Sequence, residues 1–171
     1  MIIRLSQKLC TKLQAGKLKE MPLDGNPYAD WSANLFVVDR TQYILLSNTA
    51  SLYSCVMYGK EIRNDSWFIQ RALNSIREFM EADGCEEVYL NRIAPTTRTV
   101  SFAKALNRQV IGSMNELVMS ASSVLATEEV SPFDVGFRIN RLLLSAIATK
   151  EDHGDSTPKI AFQRLASREV N

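Results

Sequence analysis

The feature that most constrains this chain is a run of strand-like segments between Ala33 and Tyr58, separated by short polar turns. Apolar, aromatic and β-branched residues fill 33–38 and 43–47, which is typical of strands. Residues 51–58 alternate in character, which is typical of a strand, because successive side chains of a strand point to opposite faces. We therefore expect a three-strand meander of antiparallel strands at the centre of the sheet.

An amphipathic helix follows this segment. Asn64, Asp65 and Ser66 are candidate N-caps, and Gly84 is a candidate stop signal for a helix over about 66–82. Its apolar side chains recur at helical spacing, so one face of the helix has to be buried. A sheet with one face to cover is the simplest partner. The sequence thus predicts an α+β fold, with a mainly antiparallel sheet and its central meander packed against helices.

The rest of the chain supplies further predicted elements. We expect a strand and a helix capped by Ser6 at the start of the chain, and later three strands and three helices. The later strands are expected over 88–93, 100–105 and 142–148; the later helices begin at a capping box of Ser113 and Glu116, at Ser131-Pro132 and at Thr157-Pro158.

The chain divides into a domain over 1–148 and a polar linker with a C-terminal helical arm over 149–171. An isolated arm of this length is marginal as a helix in water, so its apolar side chains must dock somewhere. The linker is long enough for docking on the same domain or on a second copy. We expect the second copy, which predicts a homo-oligomer or another protein partner through Ile160, Phe162 and Leu165.

Composition excludes several classes of protein. The net charge of +1 gives no overall attraction for nucleic acid or for an anionic membrane, and no apolar run is long enough to span a bilayer. Three widely spaced cysteines and the absence of a signal peptide favour a cytoplasmic protein with reduced thiols. The single histidine, His153, cannot form a multi-histidine metal site, and the usual catalytic and nucleotide-binding motifs are missing. We therefore expect no cofactor, no metal and no catalytic residue.

One stretch is locally basic. Residues 91–115 contain four cationic side chains and no Asp or Glu, together with several neutral donors. A helix starting at Ser113 would add free backbone N–H groups, which bind anions. The candidate anion-binding residues are Arg92, Arg98, Lys104, Asn107, Arg108, Ser113 and Asn115. The alternative is that these cations pair with acids elsewhere and that Ser113 only caps its helix.

Four separated strings resemble a family. They are W-S-A-N-L at 31–35, D-R at 39–40, N-T-A-S-L-Y-S at 48–54 and N-R-Q-V-I-G-S-M-N at 107–115. Together they resemble a bacterial and archaeal domain family of unknown function, and the motifs span most of 1–148. The chain departs from the pattern at 142–144, where leucines replace an expected proline, and the tail from Thr149 lies outside it. The resemblance implies no activity, cofactor or catalytic residue.

Two functional hypotheses remain. The first is a cytosolic interaction or binding domain that associates with itself, supported by the missing catalytic signatures and the apolar arm. The alternative is a protein that handles nucleic acid or phosphate, such as a small nuclease-like or toxin-type enzyme, and that uses the basic residues of 92–115.

Overall fold

Five strands form one mixed sheet in the part of the chain that the structure, a computed structural model, describes: residues 1–62, 64–150, 152 and 154–168. The strands are β1 (Ile2–Leu5), β2 (Asp30–Val38), β3 (Thr41–Asn48), β4 (Ser54–Tyr58) and β5 (Ser101–Lys104). Their order across the sheet is β4-β3-β2-β1-β5.

Half of the strand pairings are parallel. The strands β2, β3 and β4 pair antiparallel in succession, whereas β1 lies between β2 and β5 and is parallel to both. The α+β class is confirmed, and the expectation of a mainly antiparallel sheet is right only for the side formed by β2, β3 and β4. The parallel pairings join segments far apart in the chain, so no local turn signal announces them.

Tight turns shape the antiparallel side. Asp39 and Arg40 both have positive φ, 46° and 64°, which gives the two-residue turn that suits the twist of a hairpin. Leu52 also has a positive φ of 61°, which bends the chain before β4 begins at Ser54. This strand is therefore shorter than its alternating sequence suggests.

Helices cover one face of the sheet with the larger core. These are α1 (Gln7–Leu13), α2 (Asp65–Ala82) and, near the C-terminus, α6 (Pro158–Gln163) and α7 (Leu165–Arg168). The helical spacing predicts Leu73 and Ile76 of α2 to be among the most buried residues; Ile76 is fully buried there, whereas Leu73 is only half-buried. The first two helices begin at Ser6 and Asn64, whose side chains accept from backbone N–H groups as predicted.

The second face is covered by α4 (Arg108–Thr127) and α5 (Pro132–Ile139). A short helix, α3 (Glu86–Val88), lies between α2 and β5 in the chain. Met114, Leu117 and Ala121 of α4 pack against the apolar side chains of β2, β3 and β4 on this face. The sheet therefore has a hydrophobic layer on both sides.

Three predicted elements are wrong. Residues 88–93 form α3 and a π-helical turn (Tyr89–Ile93), and 142–148 contain a short 3-10 turn (Ser145–Ile147) instead of a strand. The predicted capping box at Ser113 is also wrong, because α4 begins at Arg108 and Ser113 is buried inside it. Val110 and Met114 extend the helical spacing of apolar residues back to Asn107, which caps the helix.

The C-terminal arm packs on its own chain. Phe162 and Leu165 are 1% exposed and belong to the larger core, whereas Ile160 is 42% exposed. Phe162 stacks on Tyr53 with ring centroids 4.4 Å apart and meets Tyr28 edge-on at 5.2 Å. In the single chain the arm thus packs on its own domain, and docking on a second copy stays a prediction.

Candidate functional site

The polar residues of the family-like strings hold the backbone together. The Asn48 side chain accepts from the N–H and hydroxyl of Ser51 and donates to the carbonyls of Pro27 and Asp30. Asn107 accepts from the Val110 N–H at the start of α4. Both amides are thus engaged in structural contacts that shape the backbone around them.

Arg4 holds together several segments of the chain at one end of the sheet. Its guanidinium forms a two-pronged ion pair with Asp30, with both N–O distances 2.8 Å, and the side chains are 1% and 0% exposed. The same group donates to the carbonyls of Met21, Pro22 and Lys104. An arginine has five N–H donors, so these contacts use all of them and leave none for a ligand. Arg4 joins β1, β2, β5 and the loop after α1.

The carboxyl ends of β1 and β5 lie side by side, since Leu5 pairs with Lys104. After β1 the chain enters α1 on one face of the sheet, and after β5 it enters α4 on the opposite face. Where neighbouring parallel strands send their helices to opposite faces, a crevice opens at their carboxyl ends. This is a common position for ligand sites in sheets with parallel strands.

A cavity of about 630 Å³ occupies this position, and we call it the crevice. It lies between the start of α1, the loop that follows α1 and the first turn of α4. Its volume is within the range of small-molecule sites, roughly 300 to 1,000 Å³. The lining residues are Leu5, Ser6, Gln7, Cys10, Gly16, Lys17, Leu18, Lys104, Ala105 and Ile111.

The crevice combines an apolar interior with positive charge. Leu5, Leu18 and Ile111 supply apolar surface, and Lys17 and Lys104 are its charged residues. Among the described residues that line it there is no Asp or Glu. The first turn of α4 adds the positive end of a helix dipole. The electrostatics therefore favour an anionic group with an apolar remainder.

Two further cavities adjoin the crevice. One, the polar cavity, has a volume of about 580 Å³ and includes Arg4, Glu20 and Lys104 in its wall. The other, the third cavity, measures about 470 Å³ and is lined by Lys17, Leu18, Lys19, Glu20 and Lys104. Lys104 is the residue that lines all three.

Lys104 has a fixed backbone and a movable side chain. Its N–H donates to the Lys19 carbonyl at 2.9 Å, and its carbonyl accepts from Arg4 at 3.2 Å. Its ammonium group is 3.2 Å from a carboxylate oxygen of Glu20, and these side chains are 51% and 84% exposed. An ion pair this exposed is weak, so the ammonium group can exchange one anion for another.

Of the seven candidate anion-binding residues, Lys104 is the one that the structure brings to the crevice. Asn107 and Arg108 lie at the start of α4, Asn115 is exposed farther along it, and Ser113 is buried. Arg92 belongs to the π-helical turn, and Arg98 lies in the loop before β5. Sequence reasoning missed Lys17, because the basic stretch that drew attention begins far from α1 in the chain.

A second polar cluster anchors the arm. Asp83 accepts from the Tyr53 hydroxyl at 2.8 Å and pairs with Lys159 of α6 at 2.7 Å. Burial, together with the Asp83 carboxylate, raises the pKa of Tyr53. Burial likewise raises the pKa of Cys55 and of Cys85, so neither thiol is an activated nucleophile. This cluster stabilises the docked arm through the contacts of Asp83 with Tyr53 and Lys159.

The described residues contain no group of three or more His, Cys, Asp or Glu side chains that could hold a metal ion. No helix in the described part of the chain is long and apolar enough to cross a membrane.

The fold and the crevice define an α+β domain with a mixed sheet and a candidate ligand site at its parallel side. The chain belongs to the family described as Domain of unknown function (DUF6933), whose model matches residues 2–159. No curated protein matches the chain. The match agrees with the expected membership in a domain family of unknown function, and it extends past Thr149, where the tail was expected to leave the family pattern.

Proposed function

We propose that this protein is a binding domain for a small amphipathic anion, a molecule with an apolar part and a carboxylate or phosphate head group. The observation that carries the proposal is the crevice at the carboxyl ends of β1 and β5, with an apolar interior and Lys17 and Lys104 as its charged residues. Carboxylate and phosphate are the anions that lysine binds in proteins.

The proposal keeps the expected binding role and changes the kind of ligand. The alternative hypothesis, a protein that handles nucleic acid or phosphate, contributes phosphate as one candidate head group of the small molecule. The apolar residues Leu5, Leu18 and Ile111 favour a ligand that also buries hydrocarbon, which nucleic acid does not offer in this form. We also propose a cytoplasmic location, which is supported by three free cysteines that are all buried.

The test is direct binding of three decyl probes that differ in charge: decanoate, decanol and decyltrimethylammonium. We expect decanoate to bind most tightly, as measured by isothermal titration calorimetry. Lys17→Met and Lys104→Met keep the apolar stems and remove the charges, and each should weaken decanoate binding about two- to fivefold. Decanol should bind these variants as well as it binds the wild type.

Lys60→Met is the matched control, because Lys60 is exposed next to β4, at the opposite edge of the sheet from β5. It should leave the affinity for decanoate unchanged. Equal binding of decanoate and decyltrimethylammonium, or full decanoate affinity in the Lys17 and Lys104 double variant, would show that the crevice does not select anions.

A further inference from the structure

The Lys104–Glu20 ion pair lies at the crevice. Lys104 lines the crevice and both adjoining cavities, whereas Glu20 lines the polar cavity and the third cavity and is absent from the crevice lining. Glu20 thus pairs with a cation of the crevice from a position outside the crevice lining. In this arrangement the Glu20 carboxylate binds the same Lys104 ammonium group that an anionic ligand would bind.

We propose that Glu20 is a specificity-determining residue of this site, a role that rests on the proposed function. In the free protein Glu20 neutralises Lys104, and a carboxylate or phosphate head group replaces it when a ligand enters. A ligand without a negative charge cannot make this exchange and leaves the pair intact. Glu20 thus lowers the affinity of the site for anionic ligands, because each of them must compete with its carboxylate for the Lys104 ammonium group. Head groups with little negative charge lose this competition.

The geometry makes the exchange easy. The backbone of Lys104 is held by Lys19 and Arg4, so the ammonium group moves without disturbing β5. Glu20 is 84% exposed, and its carboxylate regains water when it leaves.

Glu20→Gln tests the proposal, because it removes the competing charge and keeps the shape of the side chain. We expect it to tighten decanoate binding about two- to fivefold and to leave decanol binding unchanged. Glu128→Gln is the control, since Glu128 forms an exposed ion pair with Arg138 outside the crevice lining. It should change neither affinity.

A charge exchange gives a second measurement. The double variant Glu20→Lys, Lys104→Glu keeps an opposite-charge pair but places the negative charge in the crevice lining. Decanoate binding should fall about fivefold or more, and decyltrimethylammonium should become the better ligand. Circular dichroism spectra that match the wild type establish that the variant is folded.

The outcomes separate this inference from the proposed function. If the wild type selects decanoate and Glu20→Gln binds it with unchanged affinity, the role of Glu20 is overturned and the binding site stands. If the wild type binds none of the decyl probes, or binds them without regard to charge, the proposed function fails and the role of Glu20 fails with it.

Discussion

The docked arm offers the sharpest test of the fold, through the substitution Phe162→Ala. The Phe162 ring is 1% exposed and packs against the rings of Tyr53 and Tyr28. Removing a buried phenylalanine side chain costs about 3 to 5 kcal/mol when the surrounding structure cannot collapse into the space. The aromatic contacts contribute about 0.5 to 1.5 kcal/mol of that amount per pair.

The loss has an upper limit, because the arm is terminal. If Phe162→Ala weakens docking by more than the arm's whole docking free energy, the arm detaches and the rest of the fold survives. That docking energy also includes burial of Leu165 and the partly exposed Lys159–Asp83 pair. We therefore expect a decrease of about 2 to 4 kcal/mol in the free energy of unfolding, with faster hydrogen exchange across 158–165.

The measurement is urea unfolding followed by circular dichroism, with Ile160→Ala as the matched control. Ile160 lies on the same helix but is 42% exposed, so its truncation should cost under about 1 kcal/mol. A Phe162→Ala variant that is as stable as the control would refute the packing described here. A midpoint that rises with protein concentration would instead show that the arm docks on a second copy.

Two further perturbations test the packing and its pH dependence. Gly136→Ala would place a methyl group 2.5 Å from the Phe79 ring, so thermal unfolding should show a loss of about 1 to 3 kcal/mol, whereas Gly112→Ala meets no atom within 4 Å and should gain up to about 1 kcal/mol. The raised pKa of Tyr53, caused by burial and then by Asp83, means that stability is fully present below about pH 10 and decreases above it. Tyr53→Phe should be less stable at neutral pH and should lose less stability than the wild type between neutral and strongly alkaline pH.

Local chemistry was readable from the sequence. Ser6, Asn64, Ser131 and Thr157, which were among the predicted caps, each cap a helix, and each side chain accepts from the N–H three residues ahead in the first turn. These signals need only the neighbouring residues and the geometry of a helix start. They succeed because no distant contact competes with them.

The predictions were wrong where the structure of a segment depends on contacts with distant parts of the chain. Residues 88–93 have the apolar content of a strand, but Tyr89 and Ile93 are buried in the larger core, four residues apart on a helical turn. Ser113 and Glu116 have the spacing of a capping box, yet Ser113 is buried within a continuous α4. Tertiary packing overrides local propensity at both places.

The crevice could not be predicted because it exists only through a parallel pairing. Its lining comes from two segments, 5–18 and 104–111, which are far apart in the chain and meet because Leu5 pairs with Lys104. Neither segment carries a recognisable motif, since the cavity needs only apolar side chains, two lysines and the divergence of α1 and α4. A search for basic clusters along the chain finds Lys104 with sequence neighbours that the fold places elsewhere, and it passes over Lys17. The topology of the sheet thus determines which side chains form this site. A test of the site therefore requires substitutions in both segments, such as those at Lys17 and Lys104.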